Sequence, residues 1–446
     1  MNKKIRMTPD QPIQTEFEPR RVPLHHVIAV FAGNGLEFYD FMSYAFFAVY
    51  IGETFFPSAN PALSLLGSLG TFGLGFVTRP IGAMLLGPLG DRIGRKPVML
   101  LTFSLMGIGI GGLCLTPSYA RIGIAAPILV LLFRLIQGFA LGGEVGPATA
   151  YMVEAAPPMR RGLYGAMQAV TADGAAAVAG MVGLALALSL SAGQLQSWGW
   201  RLALGLGALV IPFGLWMRAR LPETLHTPKV AAGDAREPVM SIAPHLRIIL
   251  LGLLALISLT IAGYTVNYMT TYALSSLHMS SAVAFGATIV TGTFSMSMDA
   301  GSGWLSDRFG RKPVMLIPMV VLLLLIIPAY WLMDHYRDMQ VLYGASAVLS
   351  MLAGFCSAPI FTLITEQLPM RLRSGAIAII YAFAISVFGG STQFMETWLI
   401  KLSGSPLAPA FYWFGAMLLG ILAVSLMAES APVRLRLAGE TQPGTG

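Results

Sequence analysis

Apolar runs close to 20 residues long recur along most of the chain, separated by short polar breaks. An α-helix rises 1.5 Å per residue, so ~20 apolar residues cover the ~30 Å hydrocarbon core of a bilayer. Placed on these runs, twelve membrane-crossing helices are expected at 26–54, 63–88, 97–116, 123–150, 162–190, 199–218, 246–274, 281–305, 314–333, 340–364, 374–400 and 409–428, here numbered spans 1 to 12. The breaks hold turn formers, such as "PSANP" at 57–61 and "SGSP" at 403–406. The longest break is polar, contains Pro222, Pro228 and Pro238, and falls near mid-chain. The expected organisation is an amino tail (1–25), a six-helix bundle (26–218), a central loop (219–245), a second bundle (246–428) and a carboxyl tail (429–446). The fold class is an all-α polytopic membrane protein. A membrane β-barrel would instead alternate apolar and polar residues over ~10-residue segments, a pattern missing from this sequence.

Composition supports that class. Of 446 residues 55% are apolar and 11% charged, less than half the ~25% charge of ordinary globular chains. Mean hydropathy is +0.70. The net charge of +7 suggests nucleic acid until its distribution is considered. Tails and alternate loops on one side hold 22 of the 28 Lys and Arg residues; the other side holds Arg121, Arg201, Arg337 and Lys401. The positive-inside rule then places both termini in the cytoplasm, and the basic residues serve as a topology signal. The first 25 residues are polar and basic, so no cleaved leader is expected there. Cys114 and Cys356 lie in apolar runs of opposite halves and read as packing residues. No H-E-x-x-H, C-x-x-C, G-x-S-x-G or phosphate-binding loop is present, so no catalytic residue, metal site or cofactor is expected.

Two stretches repeat. "GPLGDRIGRKPVML" (87–100) returns as "GWLSDRFGRKPVML" (303–316), identical at eleven of fourteen positions and offset by 216. Glu154-x-x-Pro157 with Arg161 returns as Glu366-x-x-Pro369 with Arg373, offset by 212. Two pairs in the same order indicate two homologous six-helix halves, an arrangement that places a substrate pathway between them near the midplane. Gly87 and Gly303 allow helices to approach closely. A carboxylate at Asp91 can meet the positive N-terminus of a neighbouring helix. Arg92, Arg95 and Lys96 can pair with acids on adjacent helix ends.

Ionisable residues inside spans are costly and mark function. Glu37 and Asp40 share a face of span 1, Arg79 lies in span 2, Arg134 and Glu144 in span 4, Asp173 in span 5, Asp299 in span 8 and Glu396 in span 11. The embedded acids of the amino half (Glu37, Asp40, Glu144, Asp173 and, if it faces the cavity, Glu53) outnumber its two embedded arginines. Burial favours the neutral form of a carboxyl, so one of these acids can take up and release a proton near neutrality. No histidine lies at mid-membrane. The proton-coupling candidates are therefore Glu37, Asp40, Asp173 and Glu144. Tyr264, Asn267, Tyr268 and Thr271 follow the spacing of one helical face, either a packing face or a cavity lining. With Asn34, Arg79, Arg134, Gln137 and Gln393 they form the candidate substrate site. Two roles are open to each arginine: a fork for substrate carboxylates, or a partner for the embedded acids.

The repeated G-x-x-x-D-R-x-G-R-K and the segment "RLIQGFALGGE" (134–144) resemble the signatures of the major facilitator superfamily. "GNGLEFYDF" (33–41), "RPIGAMLLGPLGDRIGRK" (79–96), "SWGWR" (197–201) and "FGGSTQF" (388–394) are similar to its metabolite:proton symporter branch. That branch carries citrate, tricarballylate, 2-oxoglutarate, shikimate, proline and betaine; "TFFPS" (54–58) and "APILVLLFRLIQGF" (126–139) lean toward its citrate-type members. The resemblance implies the major facilitator fold, two pseudo-symmetric six-helix bundles, and alternating access. It also implies a cytoplasmic gate at Gly87, Asp91, Arg92, Gly94, Arg95 and Lys96 and at Asp307, Arg308 and Arg311. For Arg134 it favours a coupling or structural role. The expected protein is a monomeric bacterial inner-membrane symporter whose partners are a small organic anion, a proton and the lipid bilayer, with no nucleic acid. Proline or betaine symport and passive uniport are the alternatives. Osmosensing relatives of the first kind carry a heptad-patterned tail, unlike residues 429–446. Drug antiporters of the superfamily carry a Gly-Pro motif in span 5, and "AVTADGAAAVAGMVGLALAL" has no proline.

Overall fold

A computed structural model describes residues 35, 38–93, 95–142, 160–219, 245–368, 370–431 and 433. Asn34, Glu37, Gly94 and Glu144, most of the central loop and both tails lie outside the described residues, as do the side chains of Gly87, Asp91, Arg92, Arg95 and Lys96. The secondary structure of the described residues is helical, without strands. Span 1 is helical over 38–46 and Ala48–Phe55. Spans 2 to 6 are Pro61–Ile93, Arg95–Leu115, Ala125–Gly142, Arg161–Ser189 and Trp200–Ala219. Span 7 is Leu246–Asn267 continued by Met269–Ser275, span 8 Ser281–Phe309 and span 9 Arg311–Tyr336. Span 10 is Met339–Ser357 continued by Ile360–Gln367 after Pro359. Span 11 runs from Met370 to Ser403 with a π-helical stretch at Ala384–Gly389, and span 12 is Ala408–Leu426. Eight helices among the described residues are long and apolar enough to cross a membrane. Leu115, Met84 and Leu188 are over 70% exposed, as a lipid-facing surface requires.

The repeated motif is less loop-like than its turn residues suggest. In the second copy, Asp307 and Arg308 complete the last turn of span 8, and Arg311 and Lys312 begin span 9. Gly310 alone makes the corner, at φ 106°, a backbone conformation open to glycine. The two spans therefore extend four and three residues beyond the expected bounds at that corner.

Helices without a hydrophobic drive to associate pack through small residues. Span 5 lies antiparallel against span 8, joining the halves: a Cβ on Gly162 would fall 2.6 Å from the Gly303 carbonyl oxygen, and one on Gly292 2.6 Å from the Ala177 nitrogen. Spans 2 and 11 make a second inter-half seam, where a Cβ on Gly73 would fall 2.4 Å from the carbonyl oxygen of Gly390. Within the amino half, spans 2 and 4 meet backbone to backbone. A Cβ at Gly138 would sit 1.6 Å from the Gly75 oxygen, so the helices must part to admit it. Gly138→Ala is expected to destabilise the bundle by about 1–3 kcal/mol, read as a lower apparent unfolding midpoint in detergent.

Candidate functional site

Between the halves lies a cavity of about 170 Å³. It is walled by Phe38 and Met42 of span 1, Gln168 and Asp173 of span 5, Tyr264 and Asn267 of span 7, Asp299 of span 8, and residues of spans 10 and 11. At the end away from the repeated motif the halves meet above it. Tyr50 and Ser281 hydroxyls are 2.6 Å apart, and Phe47 packs on Phe285 with centroids 4.7 Å apart.

The four-residue face expected on span 7 divides. Tyr264 and Asn267 reach the cavity. The helix is interrupted at Tyr268, whose N–H donates to the carbonyls of both Tyr264 and Thr265. Beyond the break, Tyr268 exchanges a 2.8 Å hydrogen bond with Thr397, and Thr271 donates to the Ala45 carbonyl at 3.5 Å. One turn earlier Thr265 donates to the fully buried Glu396 at 2.5 Å, so spans 7 and 11 are tied on successive turns. Gln393, also on span 11, is buried away from the cavity wall.

The amino-half candidates converge on a second cluster. Arg134 is 1% exposed and donates to Gln137 Oε1 at 2.7 Å; Gln137 Nε2 donates to Asp40 Oδ2 at 3.2 Å; Arg134 and Asp40 are 3.8 Å apart. Positions 134 and 137 share a face of span 4, and Asp40 is presented by span 1. The guanidinium also lies 3.7 Å from the Tyr44 ring centroid, a favourable place for a cation. Its Nε and Nη2 find no acceptor among the described residues. Arg79 sits 4.1 Å from the Phe76 ring centroid and 4.7 Å from that of Phe41, and Phe76 packs edge-on against Tyr264 of the cavity wall. Neither arginine lines the cavity. Glu53 is exposed and accepts a 2.6 Å hydrogen bond from Gln196, away from this cluster.

At the motif end the second copy forms a network. Asp307 accepts from the N–H groups of Gly162 at 2.9 Å and Leu163 at 3.1 Å, capping the positive N-terminus of span 5. Arg311, fully buried, lies 2.7 Å from Asp307 and 3.2 Å from Glu366, the glutamate of the second duplicated pair. Glu429 accepts from the backbone N–H groups of Arg311 and Lys312. Arg308 instead stacks outward on Trp304, 3.9 Å from its ring centroid. "SWGWR" serves packing: Trp200 is buried against Phe55, and Arg201 donates to the terminal carbonyls of Cys114 and Thr116 on span 3. Among the described residues no group of three or more His, Cys, Asp or Glu side chains could hold a metal ion.

Asp299, like Glu396, is an embedded acid that the sequence puts in a span without marking it as part of the site. Its charge within an apolar run was the available signal; its neighbourhood with Asp173 was not.

Comparison with known proteins accords with this geometry. The family model described as Major Facilitator Superfamily matches residues 30–391. The chain is 31% identical over 414 residues to a citrate-proton symporter of Klebsiella pneumoniae, covering 92% of this chain and 93% of that one. It is 30% identical to a proline/betaine transporter of Salmonella typhimurium, over 91% and 83% of the two chains. Among solved structures, a D-xylose-proton symporter superposes with a TM-score of 0.73 at 18% identity, over 92% of this chain and 98% of that one.

Proposed function

Because the chain belongs to the major facilitator superfamily, and so is a twelve-helix transporter and not an enzyme, we propose that it is a proton-coupled symporter of a small organic anion, a citrate-like tri- or dicarboxylate. The observation that carries this reading is the buried Asp40–Gln137–Arg134 cluster beside the inter-half cavity. A proton on Asp40 cancels the charge that holds Arg134. The guanidinium, whose Nε and Nη2 have no acceptor among the described residues, then turns to an anion. Binding of proton and anion are thereby linked through one arginine, and alternating access moves both together. Arg79 supplies a second positive charge beside Phe41, which Arg134 also approaches, behind Phe76 and Tyr264. Likeness to a citrate-proton symporter over nine-tenths of both chains supports the same substrate class. The gate closes through the Asp307 network and its counterpart at Asp91, Arg92, Arg95 and Lys96. Both termini face the cytoplasm of a bacterium, the protein sits in the inner membrane, and the working unit is a monomer.

A second reading has its own observation. Among the described residues the cavity wall holds two acids and four aromatic side chains, Phe38, Tyr264, Phe361 and Tyr381, and no Lys or Arg. Aromatic faces suit a quaternary ammonium, as in betaine, and one relative is a proline/betaine transporter. Uptake of radiolabelled citrate, tricarballylate, 2-oxoglutarate, shikimate and betaine into proteoliposomes with an acid-outside pH gradient separates the readings. Gradient-driven uptake of a carboxylate supports the first, and of betaine alone the second. Uptake indifferent to the gradient would make the protein a uniporter.

In the same vesicles Arg79→Lys is expected to cut carboxylate uptake at least ~10-fold with its KM raised, since an ammonium cannot offer the bidentate fork. Undiminished uptake would assign Arg79 a charge-balancing role.

A further inference from the structure

We propose that Asp173 and Asp299, one from each half, hold a single proton between them when spans 5 and 8 are docked, so that the pair is a proton-dependent lock on that seam. The pair is distinct from the Asp40–Arg134 cluster. Asp173 is a coupling candidate of the proposed function, and this inference gives it a partner and a task.

The placement comes from the antiparallel register. A Cβ on Gly292 of span 8 would fall 2.8 Å from the carbonyl oxygen of Asp173, and Gly303 meets Gly162 nearer the motif end. Asp299 lies between those two contacts, two turns on from Gly292, and both residues line the cavity. They lie close enough to interact. Asp299 is 1% exposed, yet neither of its carboxyl oxygens accepts a hydrogen bond from a donor group among the described residues. A Cβ on Gly354 would stand 3.2 Å from Asp299 Oδ1, so the backbone of span 10 closes over the carboxyl and brings no cation.

No other titratable group among the described residues neutralises the pair. The cavity wall adds only the hydroxyls of Tyr264 on span 7 and Tyr381 on span 11, with no Lys, Arg or His among its described residues. Span 10 brings buried Cys356, and on span 1 Asp40 is engaged with Gln137 and Arg134. Arg160, Arg161, Tyr164, Asp307 and Arg308 lie toward the motif end of spans 5 and 8. Glu37 lies outside the described residues.

Two ionised carboxyls in contact, desolvated and without a cation, repel one another; one proton turns that repulsion into an O–H···O hydrogen bond. The proton comes from water on the side to which the cavity opens and returns to water when the spans part. No other atom is exchanged. Because the acids sit on different halves, the shared-proton site exists only while those halves are docked. Nearer the motif end, Asp307 of span 8 caps the N-terminus of span 5 on the same seam.

The test needs no substrate; the proton is the probe. Spin labels are placed at Arg160→Cys and Phe309→Cys, both exposed, on the full chain carrying Cys114→Ser and Cys356→Ala in lipid nanodiscs. Distances are read by pulsed electron double resonance from acid to alkaline pH. The docked population is expected to fall as pH rises, approaching about tenfold per pH unit for one linked proton. Asp173→Asn and Asp299→Asn should each flatten that dependence, because an amide N–H donates to the remaining carboxylate at every pH. Glu53→Gln, at an exposed acid bonded to Gln196 and away from the pair, should leave it intact. A parent population indifferent to pH, or one falling toward acid, overturns the proposal without recourse to any variant. So does a dependence that survives both Asn substitutions, or one that Glu53→Gln abolishes as fully as they do. Failure of gradient-driven uptake would instead sink the symport reading and leave this measurement standing.

Discussion

Asp40→Asn is expected to reduce uptake driven by a pH gradient to that of protein-free vesicles while preserving exchange of labelled for unlabelled substrate across the membrane. Net symport requires the carrier to release its proton before returning empty; exchange does not. Asparagine keeps the shape of the aspartate and can still bond Gln137, whose amide turns to suit. It cannot carry a negative charge, so Arg134 loses its counter-ion permanently. The buried guanidinium then stays available to an anionic substrate in every step of the cycle, and the coupling between proton and anion disappears. Counterflow in vesicles preloaded with the substrate identified in the uptake panel checks the second half of the expectation. Loss of exchange together with net uptake would mean that Asp40 holds the bundle in shape and carries no proton. Full gradient-driven uptake would move coupling to Glu37, Asp173 or Glu144.

The helices among the described residues were legible in the sequence because lipid forces whole helices to be apolar, and composition alone reports it. So were the two halves, since duplication leaves letters in register. The physics read from Asp91, a carboxylate meeting a helix N-terminus, appears in Asp307 at Gly162 and Leu163. Less legible was anything set by where a helix breaks. Tyr264, Asn267, Tyr268 and Thr271 share one face only while span 7 is continuous. Span 7 is divided at Tyr268, and there Tyr268 bonds Thr397 of span 11 and Thr271 the Ala45 carbonyl of span 1, leaving two of the four on the cavity. Gln137 reads from the sequence as a substrate contact; its place between Asp40 and Arg134 depends on how span 1 packs against span 4. The meeting of Asp173 with Asp299 depends on the docking of two bundles, for which a single sequence carries no register.

Arg311→Ala should be the most damaging single change at the motif end. Arg311 is fully buried and neutralises two carboxylates at once: Asp307 at 2.7 Å and Glu366 at 3.2 Å. It also donates to Ser306 Oγ at 2.8 Å. Removing one partner of a buried ion pair leaves an uncompensated charge and costs about 3–5 kcal/mol. Here two acids are stranded, but each is about 7% exposed and water reaches them, which places the cost toward the lower end. The loss spreads beyond span 9. Asp307 caps span 5 across the inter-half seam, and Glu366 also accepts from Ser430 Oγ at 2.7 Å. A drop in the apparent unfolding midpoint in detergent, with loss of gradient-driven uptake, is the expected outcome. Arg311→Lys should fall between the two, because one ammonium cannot span both acids with a guanidinium's geometry. Adding Glu366→Gln to Arg311→Ala removes one stranded charge and should recover part of the midpoint. If Arg311→Ala is as stable as the parent, water already screens both acids. The latch then owes its strength to the carboxylate of Asp307 on the backbone of Gly162 and Leu163 alone.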